Sequence, residues 1–292
     1  MFNDIDFDIS TSGNDELHSL LFTRLKENYS SNKSLGTNQE IYKFNSYNYR
    51  SDEFIKEHDG LHILFMGCSV TMGIGLSIEE MWTTKLLNKI KETCKVSGNF
   101  NISKYGYSSY SCISAAFKYF KEIGKPDVIF YNIPNFSRAH KIIKNNKAAI
   151  QVLTKDDDIR VISEFNKGHV FTFFQTYQML EAFCKINGIR LIAFSWDLSE
   201  NDDLINSVQD LSSKYISTND LFRSYYNFDT FYILKNKPLI NYVVNQQAKR
   251  QLEFGITARD GAHYGELYQE YWADIIFDIY NGHIDFDKVS TK

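Results

Sequence analysis

Proline is nearly missing from this chain, at 3 in 292 residues, and glycine is sparse at 15. Fibrous and Pro/Gly-rich disordered architectures need several times more of both and are excluded. Cysteine is equally scarce. Cys68, Cys94, Cys112 and Cys184 are widely spaced and form no C-x-x-C pair. Three of them lie in apolar stretches, where a free thiol behaves as a small hydrophobe, so a reducing compartment is expected and a disulfide framework is not. A basic excess is absent too: 32 Lys and Arg against 36 Asp and Glu give a net charge of -4. With a pI near 6.0 there is no global attraction to phosphate backbones or anionic lipid, and nucleic acid is not an expected partner. No apolar run approaches the roughly 20 residues that span a bilayer. Met1-Phe2-Asn3-Asp4-Ile5-Asp6-Phe7-Asp8 is acidic where a signal peptide would be basic. The expected location is the cytoplasm, or outside the cell after release without a Sec signal.

What the chain does have is interior. Hydrophobic residues make up 43% and aromatics 15%, enough for one decorated α/β core in a chain of this length. Residues 1–55 are rich in Asn, Ser, Asp and Lys and are expected as a polar N-terminal extension, with the main domain over 56–292. Ile63-Leu64-Phe65-Met66 is a short apolar run ending at Gly67, as expected of a strand buried on both faces. Ser77-Ile78-Glu79-Glu80 has the S-x-x-E form of a capping box, and Ile78, Met81, Trp82, Leu86 and Ile90 follow at helical spacing. A second strand is expected over 100–105, and a helix through Ile113, Ala116, Phe117, Phe120 and Ile123 that stops at Gly124 and Pro126. Asp127 to Ile133 reads as a third strand, Phe174 to Cys184 as a helix closed by Asn187-Gly188, Ile189 to Phe194 as a strand, and Leu267 to Ile279 as the last helix.

Strand and helix alternate with glycine at the junctions, which predicts an α/β fold: a mainly parallel sheet with helices on both faces. Ligands in such sheets sit beyond the carboxyl ends of the strands, where Ser69, Gly106 and Pro134-Asn135 all fall. Two stretches break the alternation, at 136–172 and 218–258, and are expected as insertions around the rim, forming a lid or an oligomer contact.

One serine is exposed by the turn Gly67-Cys68-Ser69-Val70-Thr71-Met72-Gly73, and near the other end Asp260 and His263 stand three positions apart in Asp260-Gly261-Ala262-His263. A nucleophile, a base and an orienting carboxylate can therefore be assembled. The chain resembles the SGNH hydrolases, also called the GDSL esterase/lipase family, over about residues 61–281. Its first block, G-D-S-x-T-x-G, corresponds to Gly67 through Gly73; the second, centred on a glycine, to Tyr105-Gly106-Tyr107-Ser108; the third, G-x-N-D, to Ile133-Pro134-Asn135-Phe136; the fourth, D-x-x-H, to Asp260 and His263. The resemblance implies a three-layer α/β/α fold with a flavodoxin-like sheet, and ester hydrolysis through an acyl-serine intermediate. It implies Ser69 as nucleophile, His263 as general base and Asp260 as the group steadying the imidazole. The oxyanion hole it implies consists of the backbone N–H groups of Ser69 and Gly106 and the side-chain amide of Asn135. No metal or organic cofactor is implied. The expected partner is a small acyl ester or an O-acylated carbohydrate, and a homo-oligomer is allowed.

Two departures from the pattern stand out. Cys68 replaces the Asp of the first block, removing an acceptor from the turn. The third block lacks its glycine and final Asp, so Asn132 is an alternative source of the oxyanion amide. An O-acyltransferase built on the same triad, and a non-catalytic protein that kept the fold, remain alternatives at this point. Other features have blander explanations. Cys68 as a nucleophile served by His263 is set against a buried structural thiol. Gly73-Ile74-Gly75 lacks the third glycine of a dinucleotide loop and the Gly-Lys-Ser/Thr of a P-loop. His140 and His169 lack a recognisable third metal ligand, and Asp156-Asp157-Asp158 lacks the Gly and Glu of an EF-hand loop. Tyr225, Tyr226, Phe228, Phe231 and Tyr232 could stack on sugar rings, with packing as their default role.

Overall fold

The structure, a computed structural model, describes residues 44–134, 138–143, 147–152, 175–195, 231–233, 258 and 263–283. Strand β1, Leu61–Met66, is followed by a one-turn helix α1, Ser69–Met72, and by α2, Trp82–Lys91. Then come β2, Val96–Asn101; α3, Ser109–Glu122; and β3, Val128–Asn132. A hairpin of β4, Arg138–Ile143, and β5, Lys147–Val152, lies in the first expected insertion. Helix α4 at 175–186, β6, Arg190–Ser195, β7, Phe231–Ile233, and α5, Glu266–Asn281, complete the described elements.

The main sheet runs β2-β1-β3-β6-β7 with every neighbouring pair parallel. Alternation along the inner strands decides which helix covers which face. Ile63, Phe65, Val128, Phe130, Ile192 and Phe194 point to the side where α2 and α5 bring Trp82, Leu86, Ile90, Trp272, Ile276 and Ile279. Leu64, Met66, Ile129, Tyr131, Leu191 and Ala193 point to the other, where α3 and α4 bring Cys112, Ala116, Tyr119, Tyr177, Leu180 and Cys184. The expected three-layer α/β/α architecture with a flavodoxin-like strand order is therefore present. The chain steps from β1 outward to β2, then returns across β1 to β3. That reversal opens a crevice between the carboxyl ends of β1 and β3, the topological switch point where ligands of open α/β sheets bind.

Several expectations need correction. The second strand lies at Val96–Asn101, not 100–105. As the edge strand, it carries Ser97, Gly98 and Asn99 and shows no continuous apolar run. The first long helix begins at Trp82, not Ser77. The capping-box glutamate does reach back, with Ser77 N donating to Glu80 Oε2 at 2.6 Å, but it closes a separate turn and leaves Ile78 exposed. Trp82 N donates instead to Gln269 Oε1 of α5 at 3.0 Å, so the last helix supplies a cap that Met81 cannot. Part of the second expected insertion is sheet, since β7 adds a parallel strand beside β6. Residues 44–55, the end of the expected extension, pack into the fold: the Phe54 ring meets Phe100 and Tyr119 edge-on at 5.2 Å each. His169, the acidic cluster at 156–158, and Tyr225, Tyr226 and Phe228 lie outside the described residues. Among the described residues no group of His, Cys, Asp or Glu could hold a metal ion, and no helix is long and apolar enough to cross a membrane.

A histidine pair, His62 buried and His58 half-buried, makes the edge of the sheet sensitive to acid. His58 and His62 stack at 3.8 Å, with room left by Gly98, where a Cβ would come within 2.7 Å of the His58 ring. Burial, and then the neighbouring His58, push His62 down from 6.5 to about 4. The unfolded chain therefore takes up a proton near pH 6.5 that the folded chain refuses until about pH 4. Stability is intact above 6.5 and is lost progressively as the pH falls between those values. The loss is expected to be at most about 3 kcal/mol. Urea midpoints measured from pH 7 to pH 4 should fall for the wild type and change less for His62→Gln. Equal slopes would show that His62 does not take up this proton on unfolding.

Candidate active site

Ser69 is the first residue of α1, at the carboxyl end of β1. Its backbone N–H is one of the first-turn donors that a helix cannot pair internally. The backbone can turn this sharply because Gly73, at φ 75°, ends α1 in the left-handed region. Ser69 is 1% exposed, so its hydroxyl faces into the protein, where water competes weakly for its hydrogen bonds.

His263 precedes α5 in a bend pinned by the bond from Ala258 N to its carbonyl, 2.8 Å. Its Nε2 lies 2.9 Å from Ser69 Oγ. The two residues are 194 positions apart, and the contact follows from the packing of α5 on α2. Lys85 pairs with Glu266 at 3.1 Å and Lys89 with Asp274 at 3.0 Å, beside the Gln269 bond to Trp82. When Nδ1 carries the imidazole proton, Nε2 accepts from the hydroxyl, the starting geometry for general-base activation of a serine.

The serine turn is clamped by the strands on either side. Asn101, the last residue of β2, donates from Nδ2 to Thr71 O at 2.9 Å, and Asn132, the last residue of β3, donates from Nδ2 to Thr71 Oγ1 at 3.0 Å. Cys112 Sγ on α3 donates to Gly67 O at 3.3 Å. Asn132, the alternative oxyanion amide, is thus engaged in holding Thr71. Cys68 is buried among the core residues beneath the turn, with its Sγ 4.0 Å from Ser69 Oγ. Gly106 lies in the turn between β2 and α3, at the same end of the sheet, with φ 74°. Ser108 caps α3 by accepting from Ser111 N at 3.2 Å. Asp260 and Asn135 lie outside the described residues.

Sequence reasoning missed Asn101 and Gln269 as residues that set the site. The available signal was a polar side chain at the last position of a strand, or on the buried face of an amphipathic helix, where an apolar residue is the default.

No protein-family model matches the chain, and neither does any curated protein. Among solved structures the chain is similar to the psychrotrophic esterase EstA from Pseudoalteromonas sp., at 12% identity and a TM-score of 0.38, with 76% of this chain and 97% of EstA covered. It is similar to TesA at 11% and 0.41, with 76% and 99% covered. It is also similar to the lipase/acylhydrolase from Enterococcus faecalis at 12% and 0.39, with 76% and 96% covered.

Proposed function

We propose that this chain is a serine ester hydrolase of the SGNH type, acting through an acyl-serine intermediate on a small acyl ester or an O-acylated carbohydrate. The observation that carries the reading is the 2.9 Å approach of His263 Nε2 to the buried Ser69 Oγ at the switch point of a parallel sheet. Ser69 Oγ attacks the ester carbonyl while its proton passes to His263 Nε2, giving a tetrahedral oxyanion and an imidazolium. In this proposal Asp260 steadies the imidazolium through Nδ1. The backbone N–H groups of Ser69 and Gly106, with the Asn135 amide, hold the oxyanion. Collapse expels the alkoxide, which leaves as the alcohol with the proton from His263. Water then repeats the sequence on the acyl-serine, with His263 again taking and returning the proton.

The switch-point crevice supports this assignment, since it puts the reacting oxygen where loops from several strands can shape a small-molecule site. Covalent labelling with a fluorophosphonate probe tests it. The folded wild type is expected to be labelled stoichiometrically, with the modification on the peptide containing Ser69. A folded protein that stays unlabelled and hydrolyses nothing in an ester and acyl-sugar panel would leave the non-catalytic alternative. Acyl transfer to a sugar hydroxyl in preference to water would move the assignment to an acyltransferase.

A further inference from the structure

We propose that Arg50, from the segment ahead of β1, is a positioning residue for Ser69, locking the far end of the nucleophile turn; this rests on the hydrolase reading. Arg50 is 3% exposed. Its Nη1 donates to Met72 O at 3.1 Å and to Gly73 O at 2.6 Å, and its Nη2 to Leu76 O at 2.8 Å. A four-residue helix cannot pair its own last carbonyls, so each carbonyl of the turn can be traced to its donor. Cys68 O accepts from Met72 N, Ser69 O from Ile74 N and Val70 O from Gly73 N. Thr71 O accepts from Asn101 Nδ2. Met72 O, Gly73 O and Leu76 O accept from the guanidinium, and Gly73 O accepts from Leu76 N as well. Removing the guanidinium strips Met72 O and Leu76 O of these donors and frees the turn to unwind.

The segment carrying Arg50 is built to aim it. Asn45 Oδ1 accepts from Tyr47 N and Tyr49 N at 3.0 Å each, and Asn45 Nδ2 donates to Asp52 O at 3.1 Å. Ser46 bonds Glu53 through both its N–H and its hydroxyl. Gly73 completes the fit, because a Cβ there would lie 3.0 Å from Arg50 Nη1. A planar fork with several donors suits three divergent carbonyls, whereas an ammonium is a single point on a flexible stem. The consequence for catalysis is geometric. A single helical turn is not self-supporting, and Ser69 must keep both its Oγ on His263 and its N–H aimed at the oxyanion. A misplacement of about 1 Å typically lowers turnover about 100-fold.

The test compares wild type, Arg50→Ala and Arg50→Lys in ester kinetics and fluorophosphonate labelling below their melting temperatures, with and without added guanidinium. Arg50 borders a cleft shared with Ser51, Asp52, Asn99 and Asn101, through which a small cation can reach the truncated site. Arg50→Ala is expected to lose about 100-fold in kcat with KM changed only a few-fold, and millimolar guanidinium should restore part of the loss. Arg50→Lys, which keeps the charge without the fork, should fold and lose about 10-fold in kcat without rescue. Wild-type kcat in either folded variant overturns the assignment. So does a loss that follows the folded fraction and ignores guanidinium. An inert, folded wild type removes the hydrolase reading and this role with it, whereas a labelled wild type beside an equally reactive Arg50→Ala removes only Arg50.

Discussion

Ser69→Ala and His263→Ala are each expected to lower ester turnover by about 10⁴- to 10⁶-fold, and the double variant by no more than the worse of the two. The size follows from the division of labour at the 2.9 Å contact. Without the hydroxyl there is no acyl intermediate, and without the imidazole the hydroxyl keeps its proton at neutral pH and attacks poorly. Each loss disables the same step, so the second removal has nothing left to disable, and the free energies are strongly non-additive. Residual activity should come from oxyanion stabilisation and binding alone. Both variants should fold. Ser69→Ala removes one oxygen from a buried position, and His263 is only partly buried in a bend before α5. Kinetics on an activated ester, with melting temperatures measured in parallel, check this. Multiplicative losses would mean that the two side chains act in separate steps and that their contact is incidental. Turnover near the wild-type rate in Ser69→Ala would move the nucleophile elsewhere.

The inner sheet was legible because burial on both faces leaves a continuous apolar run, and here each run is short and flanked by glycine or proline, which favours a strand over a buried helix. β1, β3 and β6 all carry one. β2 was misplaced because an edge strand pairs on one side and tolerates Ser97, Gly98 and Asn99, so its signal weakens at the residues that pair with β1. β7 is three residues long, too short for any period to emerge. The start of α2 was misjudged because a capping-box pattern states a local preference, and the local turn it makes does not have to continue as helix. At the site, Ser69 and His263 stand out in two short blocks of the sequence, and the fold brings their side chains together. The clamp around them does not stand out. Arg50 and Asn101 look like surface residues in sequence, and Asn132 reads as an oxyanion amide and not as a clamp, since their partners at the turn lie 22 to 61 positions away. A polar side chain shows that it is buried only when the fold brings its acceptor.

Gly67→Ala is expected to be the most damaging single-methyl change in the described fold. The position is not in the left-handed region, so the backbone itself would accept alanine; what is missing is space. An added Cβ would lie 2.3 Å from Thr71 Oγ1, 2.9 Å from Thr71 Cβ and 3.0 Å from the backbone carbonyl of Asn132. None of these can retreat easily. Thr71 is fully buried and is held by Asn101 and Asn132, and the Asn132 carbonyl belongs to β3. Overpacking of this kind costs about 3 kcal/mol, at the upper end of the usual range. For a domain of this size that corresponds to a fall of about 6–12 °C in melting temperature. Relief by moving Thr71 shifts the turn two residues from Ser69, so labelling by a fluorophosphonate should slow by about 100-fold as well. Thr71→Ala removes the nearest clashing atom, so Gly67→Ala should be less damaging in that background than in the wild type. A double-mutant cycle measures this coupling. If Gly67→Ala melts and labels like the wild type, the turn has slack, and Asn101, Asn132 and Arg50 do not grip it as tightly as these distances require.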